Sequence, residues 1–291
     1  MKEGRASRTA EYMALFRALE SARPARARRC DDPLAGAFLS PGLAFAVSLA
    51  RIPGVAGLLE GYIDARWPGT RTSGVARTRW IDDALRRALA DAPAQLVILG
   101  AGFDSRAWRI PELRAVRIFE VDHPDTQQRK RFALARARIA QPPNLRFVAT
   151  DFDQQGLERA MREAGHDPAQ RTLFLWEGVT NYLSAAAVDA TLRWCAAAAA
   201  GSRVIFTYIH ADVLANPGGF FGTERLLETL ASAGERWTFG LHPSQLAGYL
   251  RERGLALEAD VGAQEYRQQV YGDGARAMRG YEFYRIAVAC S

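Results

Sequence analysis

The chain is 291 residues long, 48% hydrophobic and 24% charged, a folded composition with enough apolar residues for a large core, which excludes long disorder. Its net charge of +6 reflects 38 basic against 32 acidic residues, and among the cations only Lys2 and Lys130 are lysines. The densest basic stretch, Arg23, Arg26, Arg28 and Arg29, carries no interleaved aromatic, so solvated arginines account for the charge and no nucleic-acid partner is implied.

The stretch from Met1 to Glu20 is charged throughout and lacks the apolar core of a signal peptide. Residues 8–66 read as helices without a strand. Within 9–19, Tyr12, Leu15, Phe16 and Leu19 share one helical face. Asp32-Pro33 reads as a helix start, with proline tolerated in the first turn. Residues 54–62 form another short apolar helix. The most apolar stretch, 41–59, is broken by Arg51, Pro53 and several glycines and is too interrupted to span a membrane. Trp67-Pro68-Gly69-Thr70 is a turn that closes this region. Cys30, Cys195 and Cys290 are odd in number, far apart and outside any CxxC, so neither a disulfide framework nor a zinc site is expected. A cytoplasmic protein without a membrane partner follows as the expectation.

From residue 72 the pattern changes. A helix over 73–91 carries Val75, Ile81, Leu85 and Leu89 at helical spacing. Short, nearly continuous apolar runs follow at 96–99, 116–121, 145–149, 173–176 and 204–209, as strands buried on both faces of a parallel sheet read. Helices fit between them at 124–138, 154–164 and 184–199. The alternation predicts an α/β fold with a doubly wound, Rossmann-like sheet. A helix near 243–253 precedes strands at 255–261 and 281–289. Joined by about 20 residues with no clear helix between, these two are expected to pair antiparallel at one sheet edge. The division is an N-terminal helical cap at 1–71 and a core at 72–291.

The run Leu96-Val-Ile-Leu-Gly100-Ala101-Gly102-Phe-Asp104-Ser105-Arg106 is a strand followed by a glycine turn, the place where open α/β sheets bind nucleotides. It reads Gly-x-Gly-x-x-Ser, and Asp104 puts negative charge where a pyrophosphate would sit. That disfavours a dinucleotide and favours a ligand with cationic groups. Asp122 closes the second strand, 22 residues after Gly100, where an acid can accept both ribose hydroxyls. Asp151 and Phe152 end the third strand and suit the amine and the face of an adenine. Glu177 ends the fourth. Four strands thus deliver Asp104, Asp122, Asp151 and Glu177 to one edge.

These residues resemble the class I S-adenosylmethionine-dependent methyltransferases, in particular the leucine carboxyl methyltransferase-like branch. Leu99-Gly-Ala-Gly-Phe-Asp-Ser-Arg106 is similar to its LGxGxDxR motif, Glu120-Val-Asp-His-Pro124 to its ExDxP motif and Glu177-Gly-Val-Thr-Asn-Tyr-Leu183 to its EGxxxYL motif. Upstream, Arg77-Thr-Arg-Trp-Ile-Asp82, Phe16-Arg17-Ala18 and Asp32-Pro33-Leu34-Ala35 fit its N-terminal region. The resemblance implies S-adenosylmethionine as cofactor and S-adenosylhomocysteine as product. It implies that Arg77 and Arg17 hold the methionine carboxylate, that Gly100, Ala101 and Gly102 pass beneath the cofactor beside Asp104, and that Asp122 binds the ribose. Asp151 and Phe152 would frame the adenine, and Glu177 would sit near the amino group.

The expected reaction is O-methylation of a small-molecule carboxylate or hydroxyl by in-line transfer, without a metal, since no His/carboxylate set has metal spacing. A hydroxyl acceptor would need a base. His210, after the fifth strand, is the candidate, and Tyr182 and Tyr208 are expected to line the acceptor pocket. Phe220, Phe221, Trp237 and Phe239 are candidates to cover it. The rival readings are a nicotinamide-dependent oxidoreductase, a protein C-terminal carboxyl methyltransferase and a non-catalytic cofactor-binding protein. Nothing in the sequence specifies an oligomeric state.

Overall fold

The computed structural model describes residues 8–52, 54–152 and 156–291. Residues 1–7 of the expected cap and the first positions, 154–155, of the helix expected over 154–164 lie outside them.

Among the described residues, four α-helices precede the sheet: α1 (Arg8–Ala22), α2 (Pro41–Leu49), α3 (Val55–Arg66) and α4 (Thr70–Leu89). Leu15, Phe16 and Leu19 of α1 are buried against Val75 of α4, Phe38 and Phe103 in one apolar cluster. The faces predicted from helical spacing are therefore the packed faces. Asp32-Pro33 does not open an α-helix. It leads into a short 3-10 turn at Ala35–Phe38, and the Asp32 carboxylate accepts from Arg17 and Ser105 as well as from the Leu34 amide.

The core follows as β1 (Gln95–Leu99), α5 (Arg106–Arg109), β2 (Arg117–Asp122), α6 (Pro124–Arg136), β3 (Leu145–Ala149), α7 (Leu157–Glu163), β4 (Thr172–Trp176), α8 (Ala185–Ala196) and β5 (Arg203–Ile209). Then come α9 (Asp212–Ala215), α10 (Thr223–Ala233), α11 (Leu246–Arg251), β6 (Ala256–Gly262), α12 (Ala263–Tyr271) and β7 (Tyr284–Cys290). The sheet order is β3-β2-β1-β4-β5-β7-β6. Strands β1 to β5 are parallel, and β7 runs antiparallel to both β5 and β6. Every residue of β1 and β4 is buried, as a sheet covered by helices on both faces requires. The main clusters lie on its two faces, one around Trp176 and Phe206 and the other around Ile98 and Ile118.

The end of the chain corrects the sequence reading. The last two strands are antiparallel, but α12 and a 3-10 turn at Gly272–Ala277 lie between them. The helix was hidden because its buried residues, Ala263, Tyr266 and Arg267, include an arginine, which hydropathy counts as exposed. Arg267 is held by the carbonyl of Gly280 at 2.5 Å and by Glu282 at 2.7 Å. No helix among the described residues is long and apolar enough to cross a membrane.

Candidate active site

The turn after β1 is shaped by two glycines in the left-handed region, Gly100 at φ 65° and Gly102 at φ 46°, conformations that side chains disfavour. A Cβ on Gly100 would also lie 2.3 Å from Val179. The turn is fastened to the end of β2. The Gly102 amide donates to Asp122 Oδ2, and the His123 amide donates to Oδ1 at 2.7 Å. Burial raises the Asp122 carboxyl, against the pull of these two amides.

Beside the turn lies a buried network of opposite charges. Arg106 donates to Asp82 at 2.7 Å, pairs with Asp104, and meets Glu177 at 2.9 Å. Arg77 Nε donates to Glu177 Oε1 at 2.8 Å, and the Arg77 guanidinium lies 4.7 Å from the ring centre of Tyr284. Burial works against ionisation of Asp104 and Glu177. Burial is the largest single influence on each, but Arg106 with Lys130 and Arg109 at Asp104, and Arg106 with Arg77 at Glu177, together outweigh it. They hold Asp104 down to about 2 and Glu177 below the usual carboxylate range. Each charge here is paired, the condition under which buried ions persist.

A cavity of about 880 Å³ opens over the carboxyl ends of the strands. All the cofactor-binding residues expected from the motifs, from Arg17 to Glu177, line it, and so does Tyr182. Two of them also bond within the protein. Arg17 donates to Asp32 at 2.8 Å and to the Phe103 carbonyl at 2.6 Å, so it braces the glycine turn from α1. Arg77 shares Glu177 with Arg106, which fixes the guanidinium in place at the cavity wall.

Tyr208 and His210 do not line the cavity. Strand side chains alternate between faces. On β5, Thr207 takes the face opposite Tyr208, and its Oγ1 accepts the Gly178 amide at 2.7 Å. The Tyr208 hydroxyl bonds to Asp260 at 2.9 Å, Arg285 Nε reaches it at 3.0 Å, and burial together with Asp260 raises the phenol. His210 packs against Phe220 at 5.5 Å and His242 at 5.4 Å, and its Nδ1 accepts the Asp212 amide at 3.2 Å. Of the four candidate covering aromatics, Trp237 lines the cavity. Phe239 is buried in the core, Phe220 packs on Phe283 and Phe221 is exposed.

No histidine and carboxylate set has metal spacing in the sequence, but the fold gathers one. His210, Asp212 and His242 bring ligand atoms within 4.8 Å of one another. A parallel bridge between His210 and Leu241 aligns the two segments, a tertiary contact that sequence spacing could not reveal. This cluster lies outside the cavity lining.

Sequence reasoning missed Glu235 and Thr9. Thr9 Oγ1 donates to Glu235 Oε2 at 2.6 Å, and the Tyr182 hydroxyl reaches Thr9 at 3.4 Å. Burial keeps the Tyr182 phenol protonated well above its ordinary range. The α10 helix, whose Leu226 and Leu230 line the cavity, was also missed. Its signal was present in the spacing of Leu226, Leu227 and Leu230 between Gly222 and Gly234.

Comparison with known proteins places this geometry. The family model for leucine carboxyl methyltransferase matches residues 10–196. A protein of Frankia alni provisionally named an S-adenosyl-L-methionine-dependent methyltransferase is 35% identical over 273 residues, covering 91% of this chain and 86% of that one. A Streptomyces coelicolor protein of the same provisional name is 36% identical over 200 residues, 68% of each chain. Among solved structures, one from Thermobifida fusca, provisionally a methyltransferase, superposes with a TM-score of 0.63 at 16% identity. It covers 100% of this chain and 96% of that one, and shares the fold.

Proposed function

This chain belongs to the leucine carboxyl methyltransferase family and is an S-adenosylmethionine-dependent methyltransferase, and from that premise we propose that it methylates an oxygen, hydroxyl or carboxylate, of a small molecule. The observation that carries this reading is the division of the cavity. Ionised residues at the strand ends line one side, and apolar residues of α1, α2, α3 and α10 line the other.

The donor set suits S-adenosylmethionine. Asp122, with one amide on each oxygen, keeps lone pairs for vicinal ribose hydroxyls. Asp151 and Phe152 suit an adenine edge and face, Glu177 suits an ammonium, and Arg77 suits a carboxylate. When bound, the cofactor supplies a methyl group on sulfonium sulfur, open to in-line displacement by an oxygen nucleophile.

The chain's own part is binding, orientation and exclusion of water. Arg106 fixes Asp104 and Glu177, and Arg17 fixes the turn. The described residues before 72 act as a cap, joined to α10 across the cavity by the Trp67 Nε1 contact with Thr229 at 3.4 Å. Tyr182 and Glu235 are assigned to the acceptor oxygen. No metal is needed, because the sulfonium is already electrophilic. Removing metals with EDTA should leave turnover unchanged.

A nicotinamide enzyme is disfavoured by Asp104 and Ser105 in the turn and by antiparallel β7. The test is calorimetric: S-adenosylhomocysteine should bind and NAD(P) should not, and the reverse result would overturn the reading. An acceptor screen with labelled methyl donor then separates base-labile esters from stable ethers, and so carboxylate from hydroxyl acceptors.

A further inference from the structure

We propose that the acceptor is an amphiphile. One nucleophilic oxygen lies beside Tyr182 and Glu235, and an apolar chain or fused-ring body runs beneath the cap to a mouth at Tyr62. The inference rests on the methyltransferase reading of the same cavity and adds the chemical class of its second substrate.

The cavity's volume of about 880 Å³ is near the upper end of small-molecule sites, roughly 300–1,000 Å³, and leaves room for an acceptor beside a nucleoside cofactor. Its lining is polarised. Asp104, Asp122, Asp151 and Glu177 belong to the strand ends. Leu19, Leu43, Leu59, Ile63, Trp67 and Leu230 belong to the cap and α10. A polar acceptor body there would give up its hydration against mostly apolar side chains that return few hydrogen bonds, whereas an apolar body gains by burial. The polar end of this half is the chain Tyr182, Thr9 and Glu235, closed by bonds of 3.4 and 2.6 Å.

A second observation gives the direction of the apolar body. Among the described residues, five of the eight exposed large hydrophobic side chains, Phe45, Leu49, Ile52, Leu58 and Tyr62, lie on α2, α3 and their connection. Leu58 and Tyr62 are one helical turn apart, as are Phe45 and Leu49, so each pair shares a face. Tyr62 is 68% exposed and also lines the cavity. The exposed Leu58–Tyr62 face of α3 therefore reaches the apolar lining, and Tyr62 stands where the two meet. Exposed apolar clusters of this kind mark binding sites, and continuity with the cavity identifies the occupant as the acceptor itself.

The test uses the full chain saturated with S-adenosylhomocysteine and a series of 4-alkylphenols from ethyl to octyl, titrated calorimetrically. Affinity should rise roughly threefold or more for each added methylene, the scale for burying one CH₂. Tyr62→Asp, at an exposed position, and Leu59→Asp, deeper in the lining, should flatten that dependence while S-adenosylhomocysteine affinity stays unchanged. Affinity independent of alkyl length, or a slope untouched in both variants, overturns the inference. So does a concentration-dependent dimer that Tyr62→Asp abolishes without changing alkylphenol affinity, which would assign the exposed face to a second copy. Failure to bind S-adenosylhomocysteine would instead sink the reading of the cavity on which the inference rests.

Discussion

Arg77 in α4 and Glu177 at the end of β4 are 100 residues apart in sequence and joined by a 2.8 Å bond. The bond ties the helix before the sheet to the strand end beneath the cofactor's expected amino group. Arg77→Ala should weaken S-adenosylhomocysteine binding by about 1.5–3 kcal/mol, the scale of a hydrogen bond to a charged group. The fold should survive, because Arg106 still holds Glu177 at 2.9 Å. Arg77→Lys should rescue only part of the loss, since a point charge lacks the guanidinium fork. Calorimetry on both variants decides, and full rescue by lysine would count against a bidentate contact.

Gly100 faces two separate obstacles to substitution. Its φ is 65°, and a Cβ would stand 2.3 Å from a Val179 methyl. Gly100→Ala should therefore cost about 1–3 kcal/mol in urea unfolding and most of the S-adenosylhomocysteine affinity. Adding Val179→Ala removes the methyl groups but not the backbone strain, so it should restore part of the stability. Complete recovery in the double variant would show that strain at residue 100 costs nothing.

The motif residues were legible because strand–turn–helix punctuation fixes which side chains reach the carboxyl edge of a parallel sheet. Asp104, Asp122, Asp151 and Glu177 lie at or just past the carboxyl ends of β1 to β4, and all four line one cavity. Tyr208 was misplaced because nearness to a strand end does not say which face a residue takes. The period of two decides that, and Tyr208 takes the face on which it meets Asp260 and Arg285. Glu235 could not be read at all. Its contact with Thr9 spans 226 residues and depends on how α10 meets α1. The helix α12 was lost for a different reason, in that Arg267 is buried through its bonds to Gly280 and Glu282.

Tyr208→Phe follows from that correction. The phenol hydroxyl bonds to Asp260 and Arg285, so its removal should cost about 1–2 kcal/mol of stability. S-adenosylhomocysteine affinity should not change. A variant with normal stability but altered turnover would return Tyr208 to the acceptor pocket.

Glu120 should make stability fall as pH rises. It is buried on β2 and held by Lys130 at 2.6 Å. Burial pushes its carboxyl from 4.5 up to about 7, with Lys130 pulling the other way and Asp104 and Asp122 adding to the rise. The folded state therefore holds a proton that the unfolded chain releases near 4.5. Stability should decline from about pH 4.5 through about 7, by roughly 1–3 kcal/mol in all. Asp104 acts in the opposite sense. Held at about 2 against 3.8, it stabilises the fold above pH 3.8, and that contribution is lost as pH falls through about 2. Urea unfolding at pH 5, 6, 7 and 8 should show the decline in the native chain and a flatter profile in Glu120→Gln. An equal decline in the variant would assign it to other groups.

The proposed cap is bound to the turn after β1 by more than apolar cover. Arg17 donates to the Phe103 carbonyl at 2.6 Å and to Asp32 at 2.8 Å, and Asp32 in turn accepts from Ser105 at 2.6 Å. Phe38 stacks on Phe103 with ring centres 5.1 Å apart. A chain beginning at Ser73 would cut into α4, which starts at Thr70, and would expose the cluster that Val75 and Phe103 share with α1. It should fail to unfold cooperatively, so point substitutions carry the test. Arg17→Ala removes a charged hydrogen bond to the turn but leaves Asp32 bonded to Ser105 and to the Leu34 amide at 3.1 Å. If the cap is part of the site, its S-adenosylhomocysteine affinity should fall about tenfold or more. Most of that change should appear as faster release, because the turn is less well held once the ligand is bound. Leu58→Ser, on the exposed face of α3, should leave cofactor affinity as it was. An Arg17→Ala protein that is less stable yet binds S-adenosylhomocysteine as tightly and releases it as slowly as the native chain would reduce the cap to a cover for the sheet edge.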